Sequence, residues 1–239
     1  MRNLSWMGAG LLLVSILGFA QEGPPPGTGD GDPLRRPVVL VPGWLGRAQD
    51  LIPLEERLVR EGWNQGQVFR LEFEDPVGSS VQHALELKTV IREALDSTGA
   101  RELDVVAHSM GGLAVWVLLQ EEGHGLPVNR AVFLATPFQG TVTAHLAWGA
   151  GGPEMIPESP FLQDLQEGGW PHQWVSTLTI RTPLDLTVFP GDGATMTGTG
   201  DRVICCPTHQ GLLDHEETFQ VIRDFLLYGT KSEEPLRDR

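Results

Sequence analysis

The chain has 239 residues, of which 41% are hydrophobic and 20% are charged, as is typical of one globular domain with a full core. Its formal net charge of −14 excludes nucleic acid as a partner, because an acidic surface cannot bind phosphate groups by charge. The two cysteines, Cys205 and Cys206, are adjacent, so the sequence leaves open a vicinal disulfide or two unpaired thiols.

The N-terminus predicts export. Arg2 precedes the apolar segment LLLVSILGF, and small residues stand at Gly18 and Ala20, which is the pattern of a secretory signal peptide over residues 1–20. A retained membrane anchor is the alternative, but the apolar segment is short for a bilayer span. Residues 21–36 are rich in proline and glycine and predict a flexible linker. We therefore expect a secreted or periplasmic protein without stable membrane insertion.

From Pro37 onward, apolar runs suited to strands alternate with amphipathic segments suited to helices. PVVLV predicts a strand buried on both faces, and it ends in the loop PGWLG at residues 42–46. A helix over about residues 51–61, a strand over 68–73 and a helix over 81–99 follow. This alternation is typical of an α/β fold with a mostly parallel sheet.

Residues 103–120 contain the most informative pattern of the chain. LDVVA predicts a buried strand, HSMGG a tight turn and LAVWVLLQ a helix, which is the context of a nucleophile elbow. Ser109 lies at the pivot, and Ala107 and Gly111 on either side are small enough for the turn. Ser109 is therefore the candidate nucleophile. The backbone N–H of Met110 points to the same place and is a candidate oxyanion donor.

Beyond the elbow, further strands are predicted over residues 131–135, 178–181 and 201–205, and an amphipathic helix over 214–228. Residues 141–174 interrupt this rhythm, are rich in glycine, proline and tryptophan, and predict a cap-like insertion over the site.

The predicted architecture is one domain over residues 37–228. It contains a mostly parallel sheet of about six strands, with helices on both faces and a small cap insertion. A disordered tail is predicted over residues 229–239.

A nucleophilic serine needs a base and a carboxylate that orients the base, and parallel sheets place such groups after the carboxyl ends of strands. Of the seven histidines, His209 lies in the loop directly after the last predicted strand and is the candidate base. A surface histidine is the alternative interpretation. Asp185, in the loop after the strand at 178–181, is the candidate carboxylate, with Asp192 and Asp201 as alternatives.

Two further residues lie beside these groups. Trp44, in the loop after the first buried strand, is the candidate for the second oxyanion donor through its backbone N–H. His108 directly precedes the nucleophile, and we expect the elbow to direct its side chain away from Ser109.

Several motifs in this order resemble those of the α/β-hydrolase superfamily, in particular small secreted bacterial lipases and esterases whose elbow reads AHSMGG. VVLVPGWLG resembles the oxyanion strand and loop of that family, although the family more often has His-Gly where Pro42-Gly43 stands. FLATPFQG, PESPFLQDL, DLTVFP and THQGLL resemble further motifs of the family. The resemblance covers about residues 37–228.

The resemblance implies an α/β-hydrolase fold and the hydrolysis of carboxylic esters, above all triacylglycerols, without a cofactor. Some relatives bind a structural metal, but this sequence shows no cluster of ligands for one. Ser109 would attack the carbonyl, His209 would transfer the proton and Asp185 would orient the imidazole. The aromatic residues expected to line an acyl pocket are Phe138, Trp148 and Phe161, although core packing accounts more simply for any single one of them.

Other functions remain open at this point. A phospholipid or inositol deacylase, a thioesterase or a polyester hydrolase would use the same three residues and differ in the preferred substrate. A degenerate hydrolase fold that only binds another molecule would usually lack a catalytic residue, whereas all three are present here.

Overall fold

The structure, a computed structural model, describes residues 35–170 and 174–229, apart from the side chain of His124. The predicted signal peptide, nearly all of the predicted linker and nearly all of the predicted tail lie outside the described residues and stay predictions. Within the described ranges, no helix is both long enough and apolar enough to cross a membrane.

The described residues form one sheet of six strands, all parallel, in the order β2-β1-β3-β4-β5-β6. The prediction of about six mostly parallel strands is confirmed. The strands are β1 (Val38–Val41), β2 (Val68–Arg70), β3 (Leu103–His108), β4 (Val128–Leu134), β5 (Ser176–Arg181) and β6 (Gly200–Val203).

Helices cover both faces of the sheet, as predicted. The α-helices of the described residues are α1 (Ile52–Arg60), α2 (Ser80–Thr98), α3 (Gly111–Glu122), α4 (Gly151–Glu154), α5 (Pro160–Gly168) and α6 (Glu216–Tyr228). Apolar residues of α2, α3 and α5 form one core cluster, and those of α1 and α6 form another on the opposite face.

The position of β1 between two covered faces of the sheet explains why all of its residues are apolar. Val39 and Val41 pack into the cluster with α2 and α3, while Val38 and Leu40 pack into the cluster with α1 and α6. All four residues have 0% exposure because successive side chains of a strand point to opposite faces and both faces are covered.

The start of α1 differs from the prediction, which began the helix at residue 51. A 3-10 turn at Ala48–Leu51 precedes α1, and Arg47 is the residue that begins this turn. The carboxylate of Asp50 accepts the Arg47 N–H at 2.8 Å. Asp50 thus satisfies a free N–H from inside the turn, whereas the sequence pattern placed it before the helix.

Cys205 and Cys206 lie in the exposed loop after β6, and their sulfur atoms are bonded to each other. Of the two alternatives that the sequence left open, the structure has the vicinal disulfide. Because it joins neighbouring residues, the bond connects no separate elements of the fold and closes no long loop.

Candidate active site

The nucleophile elbow lies between β3 and α3, with Ser109 at the pivot. Ser109 has φ of 53°, in the left-handed region that residues other than glycine rarely adopt and that is frequent at functional sites. A Cβ atom at Gly111 would lie 2.2 Å from the carbonyl oxygen of Pro42, so only glycine fits there. Ala107 is fully buried, and its single methyl group is accommodated at the end of β3.

The loop after β1 approaches the nucleophile closely. A Cβ atom at Gly43 would lie 2.7 Å from the Ser109 Cβ and 3.3 Å from the His108 Nδ1. The backbone of this loop can therefore pass directly beside the serine. That position is required of a loop that offers an N–H group to an oxyanion on the substrate.

His209 and Asp185 form a buried hydrogen-bonded pair. The Nδ1–H of His209 donates to Asp185 Oδ2 at 2.7 Å, and the two residues are 8% and 4% exposed. Asp185 Oδ1 accepts the N–H groups of Thr187 at 2.9 Å and Val188 at 2.7 Å. Both oxygens of the carboxylate are thus satisfied, and the bond to His209 leaves Nε2 as the basic nitrogen of the imidazole.

The surroundings of Asp185 keep this carboxyl ionised. Burial raises the pKa of Asp185, but the hydrogen bond and charge of His209 and the two backbone N–H groups lower the pKa by more. The pKa of Asp185 therefore lies below its ordinary value of 3.8. An ionised carboxylate is the form that orients an imidazole and stabilises it when it becomes protonated.

The alternative carboxylates bind elsewhere. Asp192 accepts from Arg181 at 3.1 Å, and Asp201 accepts from the same guanidinium at 3.2 Å and from Thr179 at 2.9 Å. Both aspartates thus contribute to an ion-pair network at the edge of β5 and β6. The structure places Asp185 against His209, and it does not bring either alternative there.

Ser109 and His209 line one cavity of about 560 Å³ at the carboxyl ends of the strands. Most of its remaining wall is apolar, as suits a hydrocarbon chain. The apolar residues of this wall are Pro42, Trp44, Leu45, Leu51, Ala144, Leu146, Ala147, Trp148, Met155, Leu186, Val188 and Leu213.

The prediction of the aromatic pocket residues needs correction. Trp148 lines the cavity, but Phe138 and Phe161 do not. Phe138 is 2% exposed, and its ring packs edge-on against Trp116, Phe133 and Trp170 at centroid distances of 5.7, 5.3 and 5.9 Å. Phe161 packs against the same core cluster. Their apolar character reflects burial in the core, which a sequence pattern does not distinguish from a pocket wall.

The two candidate oxyanion donors flank the elbow. The backbone N–H groups of Trp44 and Met110 donate no hydrogen bond to another described residue, whereas the next amide, Leu45 N–H, donates to Pro76. Met110 directly precedes α3, where helix N–H groups are unsatisfied and favour negative charge. The indole Nε1–H of Trp44 donates to the Trp148 carbonyl at 3.1 Å, which ties this loop to the insertion.

His108 lines the cavity and is 4% exposed, and its Nε2 lies 3.2 Å from the carbonyl oxygen of His209. The imidazole is thus directed at the backbone of the candidate base, a contact that the sequence did not indicate. Burial, and next the charge of His209, lower the pKa of His108 to about 3. The signal that could have drawn attention to it is its place as the last residue of a central strand, beside the nucleophile.

The described residues lack the cluster of ligands that a metal ion requires. Within the part of the chain that the structure describes, no three histidine, cysteine, aspartate or glutamate side chains come together as a metal site would require. The geometry present is that of a serine, a histidine and a carboxylate around one apolar cavity.

Known proteins share both the sequence pattern and the fold. The model of the family "Lipase (class 2)" matches residues 35–146, somewhat less than half of the chain. In structure, the chain is similar to the mature form of Bacillus licheniformis lipase BlEst2, with a TM-score of 0.73 and 16% identity, over 83% of this chain and 95% of that one. The chain has the α/β-hydrolase fold.

Two further likenesses concern parts of larger proteins. The chain is similar in structure to Aspergillus fumigatus lipase B, with a TM-score of 0.64 and 19% identity, over 82% of this chain and 53% of that one. It is 40% identical to phospholipase A(1) LCAT3 of Arabidopsis thaliana over 58 residues, which are 23% of this chain and 13% of that protein. The resemblance to lipases of this fold is thereby confirmed, whereas the secreted type stays a prediction.

Proposed function

We propose that this α/β-hydrolase cleaves carboxylic esters through an acyl-enzyme on Ser109, with lipid esters such as triacylglycerols as its substrates. The observation that supports the proposal most is the bond of 2.7 Å between His209 and Asp185, beside a cavity that also exposes the strained Ser109. A buried histidine with an ionised carboxylate on one nitrogen is arranged to accept a proton on the other.

In the proposed mechanism, Ser109 Oγ attacks the ester carbonyl while Nε2 of His209 accepts the hydroxyl proton. The negative charge that develops on the carbonyl oxygen is stabilised by the N–H groups of Trp44 and Met110. His209 then gives its proton to the departing alcohol oxygen. In the second half, water attacks the acyl-enzyme, His209 takes a proton from it and returns it to Ser109, and the carboxylic acid leaves.

The composition of the cavity favours an uncharged acyl chain. Its described lining contains Asp50 and two histidines but neither lysine nor arginine, and most of the other lining residues are apolar. Trp148 contributes a large apolar surface at the rim, where it is 59% exposed. Such a wall gains free energy by covering methylene groups, about 0.8 kcal/mol for each one buried.

Phospholipid deacylation is the second candidate, favoured by the local match with the Arabidopsis phospholipase. The two candidates share every step at Ser109 and differ in the alcohol that leaves. Hydrolysis of tributyrin compared with phosphatidylcholine in mixed micelles distinguishes them. Export of the protein, which residues 1–20 predict, is likewise a proposal, and identification of the mature N-terminus after expression with these residues tests it.

Replacement of the nucleophile is the direct test. Ser109→Ala removes the attacking oxygen, so we expect kcat on p-nitrophenyl esters of short, medium and long chains to fall by about 10⁴-fold or more. Ser97→Ala on α2 is the matched control, and it should leave turnover unchanged because this serine bonds only within its own helix.

Two results would contradict the proposal. Retained turnover in Ser109→Ala would exclude a serine mechanism at this elbow. A folded wild type that hydrolyses none of these esters would favour a binding protein with a degenerate hydrolase fold.

A further inference from the structure

The residue before the nucleophile contacts both loops that complete the site. The imidazole of His108 lies with its Nε2 3.2 Å from the His209 carbonyl oxygen, and the two rings are 4.6 Å apart between centroids. On its other side, Nδ1 lies beside Gly43 in the loop after β1, where a Cβ atom would approach it to 3.3 Å. His108 is thus packed between the loop of the base and the loop of the oxyanion donor.

The loop that carries His209 is otherwise attached to the neighbouring β5 side of the sheet. Thr182 Oγ1 donates to the Pro207 carbonyl at 2.7 Å, and Leu184 pairs with Thr208 in a short parallel bridge. Both contacts come from the segment that also carries Asp185. Among the described residues, the side-chain hydrogen bond that joins this loop to β3 is the one from His108.

Asp185 alone cannot set the distance between base and nucleophile. Its bond to Nδ1 restricts the rotation of the His209 ring. Because Asp185 follows β5, this bond fixes the His209 loop relative to β5 and not relative to β3. Ser109 directly follows β3, whose last residue is His108. A hydrogen bond from His108 to the His209 backbone therefore fixes the position of the base relative to β3, the strand that ends directly before the nucleophile.

We propose that His108 is a positioning residue whose Nε2–H keeps the His209 backbone at the distance from Ser109 that proton transfer requires. The inference rests on the proposed ester hydrolysis. Misplacement of a reacting group by about 1 Å can lower a rate by about 100-fold, so a single backbone contact is sufficient to matter.

The chemistry of His108 suits this role and not that of a second base. Burial first, and next the charge of His209, keep His108 neutral, against the opposing effects of the His209 carbonyl and of the Asp185 charge. A neutral imidazole with its proton on Nε2 can donate to a carbonyl throughout the cycle, while His209 gains and loses a proton. No carboxylate of the described residues hydrogen-bonds to His108, in contrast to His209.

Two substitutions test the proposal on the full-length protein. His108→Ala removes the donor, and His108→Gln provides an amide N–H that can reach the same carbonyl. For p-nitrophenyl ester hydrolysis, we expect kcat to fall about 10-fold to 100-fold in His108→Ala with KM changed by less than about threefold. His108→Gln should recover most of this loss. His145→Ala, an exposed histidine outside the cavity lining, is the control.

Titration of active sites with an organophosphonate separates positioning from folding, because kcat is then expressed per competent Ser109. A role in folding alone would lower the titrated fraction and leave kcat per site unchanged, and this outcome would overturn the proposal. Activity of His108→Ala within about twofold of the wild type, or equal losses in the alanine and glutamine variants, would overturn it as well.

A measurement on the wild-type protein tests the proposal even if the variants do not fold. Nitrogen-15 NMR of the histidine side chains should show His108 as the neutral Nε2–H tautomer at neutral pH, and an Nδ1–H tautomer would contradict the proposal. If the folded wild type hydrolyses no ester, the proposed function fails and the positioning role fails with it. If the wild type is active and the variants match it, only the positioning role fails.

Discussion

Two buried aspartates lie at opposite ends of the same sheet, and only one of them adjoins the cavity. Asp104 is the second residue of β3 and is 0% exposed, while Asp185 follows the carboxyl end of β5 and is 4% exposed. Asp185 receives three hydrogen bonds, from His209 and from two backbone N–H groups. Asp104 Oδ1 receives one, from Asn129 at 3.0 Å, and its Oδ2 has no hydrogen-bond partner among the described residues.

This difference moves the two pKa values in opposite directions. Burial raises the pKa of Asp104 to about 6, although Asn129, the charges of Arg130 and Arg36, and the nearby backbone N–H of Arg130 act against it. The pKa of Asp185 lies below 3.8 because its donors outweigh its burial. Burial or a displaced pKa alone therefore does not identify a catalytic carboxylate. The donors around the carboxylate and the cavity beside it are what distinguish Asp185.

The largest expected effect is on turnover at the cavity end of the sheet. Asp185→Asn keeps the shape of the side chain but cannot stabilise protonated His209, so we expect kcat to fall by about 10³-fold to 10⁴-fold. Asp104→Asn should leave kcat within about twofold of the wild type, since Asp104 does not line the cavity. Steady-state hydrolysis of a p-nitrophenyl ester measures both.

Nearly unchanged turnover in Asp185→Asn would show that another carboxylate orients the base. Asp192→Asn and Asp201→Asn are the matched variants for that case, because both residues are alternatives in the sequence and bind Arg181 in the structure.

The next expected effect is on the free energy of unfolding and concerns Asp104, near the start of β3. The pKa of Asp104 in the folded state, about 6, lies above the ordinary 3.8, so the native state binds this proton more tightly than the unfolded chain does. The contribution of Asp104 to the free energy of unfolding is therefore most favourable below about pH 4 and is lost as the pH rises to about 6. Asp104→Asn removes this dependence. We expect the variant to be about 1 to 3 kcal/mol more stable than the wild type at about pH 8.

Urea unfolding of wild type and variant at about pH 4 and about pH 8 measures this difference. Asp164→Asn on the exposed surface of α5 is the control and should change neither value. An equal difference between wild type and Asp104→Asn at both pH values would refute the assignment of a raised pKa to Asp104.

The smallest expected effect concerns Asn129, whose side chain donates a hydrogen bond to Asp104. Asn129→Ala removes that hydrogen bond, and we expect it to lower the free energy of unfolding by about 1 to 2 kcal/mol at about pH 8. In the Asp104→Asn background the same change should cost less, because a neutral amide needs the donor less than a carboxylate does. A double-mutant cycle from urea unfolding gives the coupling energy, and additive effects would mean that the two side chains do not interact in solution.

Patterns that act within a few residues made much of this fold predictable. The apolar run LDVVA followed by HSMGG predicts β3 and the elbow, because a buried strand and a tight turn each leave a local mark in the sequence. Gly99 ends α2 with φ of 67°, as its place after the apolar spacing predicts. The loops after β5 and β6 indicated Asp185 and His209 because parallel strands end at a common edge.

What the sequence could not provide depends on contacts between distant segments. Phe138 is as apolar as a pocket residue would be, but Trp116 and Trp170 surround it in the core. The contact of His108 with His209 joins residues 101 positions apart, and no local spacing predicts it. Asp104 lies within a run that predicts a buried strand, and the absence of a described donor to its Oδ2 becomes evident only when the neighbouring strand is in place.

The strand order also bears on how the protein acquires activity during refolding. The nucleophile directly follows β3 in the middle of the sheet, whereas the base follows β6 at one edge. Contacts between segments so far apart in sequence form late, since closing long loops is slow and entropically costly. Recovery of turnover after dilution from denaturant therefore reports when the edge strand has docked, whereas recovery of helical circular dichroism reports an earlier event. A difference between the two rates would reveal a state that has a folded core but no assembled active site, whereas equal rates would mean that both form in one transition.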